Sequence, residues 1–274
     1  MKFIDFEYDG LFLSDFGFIA CVFGASSGSV NASAGSKISF TKVSHNRGRH
    51  YTVVNAEYND CLTASFDICK NPDTHDKTDM KITNDELRDI MRWLNRRSFH
   101  KFRLIPDECE DDDITTCYYN ASFNVEKIKV AEDLVGLSLT LETDKPFGYG
   151  DIVQQTMTFV SSSNVRTVYD PSDEVGEVYP DLVITVNSSG DLTLTNTTLN
   201  RSTVIKNCTQ GEIITIYGSE QILSSSLPSH DIANDFNYEF FKIANTYDNR
   251  INNITCSLPC TIKLTYKPII KDAP

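Results

Sequence analysis

The sequence predicts an all-β-dominated fold, β-strands plus one helix, arranged in two domains. Three observations carry this. Short runs with period-two alternation of apolar and polar residues recur along the chain, separated by turn residues. A single segment, "KITNDELRDIMRWLNRRSF", instead places apolar residues at helical spacing. The texture then changes at "DKPFGYGD", where Pro146, Gly148 and Gly150 punctuate the chain. The expected domains are therefore 1–150 and 151–274.

In the first domain, "KFIDFEYDG" alternates Phe3, Asp5 and Glu7 against Ile4, Phe6 and Tyr8, and Asp9-Gly10 supplies a turn. Strands are expected over Ser36–Val43, His50–Tyr58 and Leu62–Lys70, with "NRGR" between His45 and His50 reading as a hairpin turn. Leu87, Ile90, Met91 and Leu94 form one stripe of a helix expected over Asn84–Arg97. Thr83 and Glu86 have the spacing of a capping box, and Asp85 and Glu86 suit the positive end of the helix. Three strands follow, at His100–Ile105, Cys117–Val130 and Leu134–Asp144. The helix is expected to cover one face of a β-sandwich or split barrel. In the second domain, short strands such as "YPDLVITVN", "GDLTLTNTT", "GEIITIYG" and "TIKLTYKPI" suit an antiparallel sandwich. "HDIANDFNYEFFKIANTYDNR" reads as a loop with one helical turn packed onto it.

Composition narrows the function classes. With 274 residues, 40% hydrophobic and 23% charged, the chain has a globular make-up. A formal charge of −13 argues against a nucleic-acid binder, because phosphate neutralisation needs net Lys and Arg. No run approaches the ~20 apolar residues that span a bilayer. The N-terminus lacks the apolar core of a leader, so the expectation is a protein made and kept in a cytoplasm. Its eight cysteines are then expected as free thiols, mostly small core residues, and the sequons as unused.

Signatures of chemistry are absent: no phosphate loop, nucleophile elbow or zinc-binding His pair occurs. The five histidines are scattered, and His230 followed by Asp231 does not make a site by itself. No metal or cofactor is expected. The one dense cluster is "PDECEDDDITTCYY", with Asp107, Glu108, Glu110, Asp111, Asp112 and Asp113 in seven positions around Cys109. It lacks the ligand spacing and central glycine of a calcium loop. Lying between two expected strands, it reads as the loop of a hairpin: solvated, or an anionic surface for a partner. Sugar-binding sandwiches stack an aromatic ring on a pyranose, but Trp93 lies in the helix. Tyr217, Tyr238 and Tyr247 read as core or interface aromatics.

Several segments, taken in order, resemble a known family. "EYDGLFLSDFGF", "DICKNP", "ITNDELRDIMRWLNRRSFHKFRLI" and "NASFNVEKIKVAEDLVGLSLTLETDKPFGYG" are similar to the N-terminal domain of siphophage distal tail (Dit) proteins of Gram-positive phages and prophages. "YPDLVITVNSSGDLTLTN", "GEIITIYGSEQILSSS" and the stretch from His230 to Ile269 resemble the galectin-like C-terminal sandwich of that family. The resemblance implies a non-enzymatic structural protein of the virion tail tip, assembled in the host cytoplasm. It implies a hexameric ring of N-terminal domains, touching the tail tube protein on one side and the tail-tip hub (Tal-like) protein on the other. Receptor-binding proteins would dock on the sandwich. The galactose-binding residues of galectins are absent, so sugar binding is not carried over. A carbohydrate-binding or cell-wall-acting sandwich protein is the alternative.

Overall fold

The computed structural model describes residues 3–23, 35–45, 50–75, 79–106 and 117–271. The chain folds as two compact units, residues 1–149 with 270–274, and residues 150–269.

The described residues of the first unit, up to residue 149, form β1 (Phe3–Tyr8), β2 (Leu11–Phe12), β3 (Phe18–Cys21), β4 (Ile38–His45), β5 (His50–Tyr58), β6 (Thr63–Lys70), β7 (His100–Pro106), β8 (Tyr119–Val130), β9 (Asp133–Thr143) and β10 (Gly148–Tyr149). Seven make one antiparallel sheet in the order β2-β1-β7-β8-β9-β6-β3. The sheet rolls over so that β3 returns beside β1, as a split barrel does. β10 is held to Tyr118 by reciprocal backbone hydrogen bonds of 2.7 Å with Tyr149.

Helix α1 (Asn84–Leu94) closes one face of this sheet. Its stripe buries Leu87, Ile90, Trp93 and Leu94 among Phe6, Tyr8, Phe102 and Phe123. Trp93 is the centre of an aromatic stack, 5.5 Å from Phe6 and 4.5 Å from Phe16, while its Nε1–H donates to the Tyr8 carbonyl at 3.0 Å. The capping box forms as the spacing predicts: the Glu86 N–H donates to Thr83 Oγ1 at 3.3 Å and the Thr83 N–H to Glu86 Oε2 at 2.7 Å. Glu86 also holds Lys70, whose side chain is buried, at 2.9 Å. That pair ties the first turn of the helix to the end of β6. Thr83→Ala is expected to cost about 1 kcal/mol, read as a lower urea midpoint with unchanged slope.

The helix stops at Leu94, three residues short of the expected Arg97. Competing partners end it. The Asn95 side chain donates to the Phe123 carbonyl at 3.2 Å, and Arg96 Nε donates back to the Trp93 carbonyl at 2.8 Å. The second bond satisfies a terminal carbonyl that a further turn would otherwise have used, and the first ties the residue after the helix to β8.

The second unit is a sandwich. One sheet has the order β11-β21-β14-β17-β18, from Val153–Phe159, Cys260–Tyr266, Asp181–Val186, Ile213–Tyr217 and Ile222–Ser225. The other has the order β12-β20-β15-β16, from Val165–Tyr169, Ile251–Cys256, Gly190–Asn196 and Arg201–Cys208. A short pair, β13 (Gly176–Val178) with β19 (Ile243–Asn245), lies beside them. Alternate residues such as Leu182, Ile184 and Val186 of β14 and Leu192 and Leu194 of β15 point into one shared core. The aromatic-rich segment supplies the expected single helical turn, α2 (Ile232–Asp235), and Phe236 then bridges to Ile205 and enters the core.

Candidate assembly surface

The β4–β5 hairpin belongs to neither the seven-stranded sheet nor the sandwich; it is a two-stranded ribbon of its own. Residues opposite each other across an antiparallel pair share a face, so the register sorts the side chains. Ile38↔Tyr58, Phe40↔Ala56, Lys42↔Val53 and Ser44↔Tyr51 lie on one face. Ser39↔Glu57, Thr41↔Asn55 and Val43↔Thr52 lie on the other. A register shift between Thr41 and Lys42 absorbs Val54 as the extra residue of a bulge, which keeps Tyr51 and Val53 in phase with Ala56 and Tyr58. The ribbon therefore has one mostly apolar face and one polar face.

Its apolar face is open. Ile38, Phe40, Tyr51 and Val53 are exposed by 50%, 54%, 66% and 53%. Among the described residues it is held at its root: the Asn59 N–H donates to the Lys37 carbonyl at 2.9 Å, Ser36 Oγ donates to the Pro146 carbonyl at 3.1 Å, the Tyr58 ring meets Phe147 edge-on at 6.4 Å, and Lys271 Nζ lies 5.9 Å over the same ring. A lone hairpin is at best marginally stable in water. An amphipathic one with four large apolar residues exposed is half of a layered structure whose other layer the described residues do not supply. The sequence held the signal, in the alternation of "SKISF" and "TVVNAEY" and the doubled Val53-Val54. Alternation alone does not say whether a strand's apolar face meets its own core or another chain.

The acidic stretch Asp107, Glu108, Glu110, Asp111, Asp112 and Asp113 lies outside the described residues. The strands on either side of it, β7 and β8, are adjacent and antiparallel, with His100 opposite Ala121 and Phe102 opposite Tyr119. Among the described residues, no three His, Cys, Asp or Glu side chains converge as metal ligands. Of the seven described cysteines, Cys208, Cys256 and Cys260 are buried and the other four are half-buried.

One cluster has the composition of a hydrolase triad but not its order. Glu212 and His230 are both buried, with Glu212 Oε1 at 2.5 Å from His230 Nδ1 and also at 2.5 Å from Ser225 Oγ. His230 Nε2 is directed at the Lys206 carbonyl, 3.0 Å away, and lies 3.3 Å from Asp235 Oδ2. The serine thus bonds the carboxylate, and no imidazole nitrogen is left to take its proton. The cluster is a clasp that binds the segment carrying α2 to β16. The sequence neighbour of His230, Asp231, is not its partner; Glu212, eighteen residues away, is.

The tyrosines read as core or interface groups are not in the core. Tyr217, Tyr238 and Tyr247 are exposed, on β17, after α2 and beyond β19 respectively, and the Tyr238 hydroxyl donates to the Ala233 carbonyl at 2.9 Å.

An unpartnered amphipathic ribbon is a feature of proteins that build assemblies. Residues 1–145 match the family model described as the phage tail protein N-terminal domain, and residues 147–266 match the phage tail C-terminal domain. The chain belongs to this family of phage tail proteins. Its fold is similar to the crystal structure of the Dit protein of phage SPP1, described as a paradigm of the hub adsorption apparatus in phages that infect Gram-positive bacteria. The two share 13% identity with a TM-score of 0.62, over 97% of this chain and 99% of that one. No curated protein matches the chain.

Proposed function

We propose that this phage tail protein is a non-enzymatic ring subunit of the tail-tip hub. Six copies associate head to tail through the first unit, residues 1–150 in the sequence-based division, and join the tail tube protein to the hub protein. The second unit, 151–274, is a galectin-like sandwich that presents a docking face to receptor-binding components. Assembly takes place in the host cytoplasm and the product resides at the virion tail tip.

The observation that carries this reading is the open apolar face of the β4–β5 ribbon. A rotational ring repeats one contact between two different patches of the same chain. An arm with one sticky face, anchored at its root, supplies one such patch. The fold shared with a hub adsorption protein supports the same reading.

Native mass spectrometry and particle images test it. The expected species has a mass six times 30.8 kDa and the outline of a closed ring, formed by the protein alone or on adding the tube protein. A protein that stays monomeric at high concentration, and binds neither tube nor hub protein, overturns it.

A further inference from the structure

We propose that the groove between α1 and β8 is the receiving site for the acidic stretch of a neighbouring copy of this chain; this rests on the ring reading and adds a specific contact to it. The groove is an open depression of about 510 Å³. Its floor is apolar, made by Leu87, Met91 and Val125, and its rim is basic, made by Arg88, Arg92 and Lys127. All three cations are exposed. Arg92 has one weak ion pair, 3.7 Å from Asp89, with both side chains largely in solvent.

Three cations around an apolar floor stand out in a chain of formal charge −13. Such a groove accepts a segment that combines negative charge with an apolar anchor. The densest such segment in the chain is Asp107 to Asp113, which holds six carboxylates and is followed directly by Ile114.

The copy that supplies the segment is a second one. Lys127 stands eight residues beyond Tyr119 along β8, about 26 Å away at strand rise. Asp113 is tethered six residues before Tyr119 and reaches at most about 21 Å from it. Only a fully extended stretch, side chains included, would bring the chain's own Asp113 to Lys127, whereas a second copy is under no such tether. A head-to-tail ring needs two complementary patches at different places on one protomer, and the groove and the acidic stretch are such a pair.

The test uses the full-length protein and a synthetic peptide spanning Ile105 to Thr116 with Cys109 replaced by Ser. Wild type should bind the peptide saturably, and the affinity should fall as salt rises. The triple variant Arg88→Glu, Arg92→Glu, Lys127→Glu should keep its thermal transition, since all three side chains are exposed, and bind at least about tenfold more weakly. A peptide with every Asp and Glu changed to Asn and Gln should not bind. No binding to wild type, equal binding to the triple variant, or equal binding of a scrambled peptide of the same composition overturns the inference. Native mass spectrometry separates it from the ring reading. A triple variant that still assembles like wild type defeats the groove contact and leaves the ring standing. A wild type that binds the peptide but never assembles defeats the ring and leaves the groove standing.

Discussion

The double substitution Phe40→Asp, Val53→Asp is expected to leave the protein folded and abolish its assembly. Both residues lie on the apolar face of the β4–β5 ribbon, and each is more than half exposed in the single chain. Neither contributes to the two hydrophobic cores, so the melting temperature should stay close to that of wild type. In an assembly the same two side chains would be covered. Both are already nearly half covered in the single chain, so losing the rest of their burial removes about 1.5–3 kcal/mol per contact, before the cost of enclosing two carboxylates. With that cost the loss in association exceeds about a hundredfold at every contact, and a ring repeats the contact. The control is Ser39→Asp with Thr41→Asp, which places the same charge on the polar face of the same ribbon. Light scattering should show the control assembling and the first variant monomeric. If both assemble, the ribbon's apolar face is not what joins the copies.

The second large effect concerns the clasp of the sandwich. Below pH 6.5, where His230 is charged in the folded protein, Glu212→Ala should cost about 3–5 kcal/mol, because it strands a buried imidazolium whose best partner is gone. Glu212→Gln keeps the shape and removes the charge, so its effect depends on pH. Burial pulls the Glu212 pKa up, but the bonds from His230, Ser225 and the Thr209 N–H outweigh it, and the carboxyl sits below its ordinary 4.5. Burial pulls the His230 pKa down, but Glu212, the Lys206 carbonyl and Asp235 outweigh it, and the imidazole sits above its ordinary 6.5.

The signs follow from linkage. The raised histidine contributes stability that is complete below pH 6.5 and is lost as pH rises through its folded value. The depressed carboxylate contributes stability that is complete above pH 4.5 and is lost as pH falls through its folded value. The difference in unfolding free energy between wild type and Glu212→Gln should therefore be largest between pH 4.5 and 6.5 and shrink on both sides. Taking the difference cancels the titration of the many other acids. A difference that is flat with pH would mean that the pair is not ionised in the folded protein.

Much of the fold is written locally. The stripe Leu87, Ile90, Leu94 and the pair Thr83–Glu86 specify α1 and its start, because helix amphipathicity and capping involve residues within one or two turns of each other. Alternation likewise identifies β14 and β15, whose inward residues the structure buries as the pattern requires. The end of α1 was not legible. It is set by the Phe123 carbonyl, twenty-eight residues distant, that captures Asn95. The clasp was not legible either: His230 meets Glu212 only after the segment bearing α2 has folded back onto the sandwich. Lys70 reads as an ordinary strand-end cation, yet it is buried and paired with the capping residue of a helix fourteen positions on.

The candidate site divides in the same way. The acidic stretch is visible in the sequence as a run of charge, and the helix that forms one wall of the groove is visible as a stripe. Their complementarity is not, because the basic rim draws Arg88 and Arg92 from α1 and Lys127 from β8, segments separated in the chain by β7 and the acidic stretch. By itself, then, the sequence determined the element types, the one helix, the all-β class and the resemblance to distal tail proteins. These depend on periodicities of two and 3.6 residues, which short-range sterics and hydrogen bonding read directly. Only the tertiary structure decided which amphipathic elements find cover within the chain and which do not. That depends on how the seven-stranded sheet and the sandwich close on their own cores, and it leaves the β4–β5 ribbon outside both.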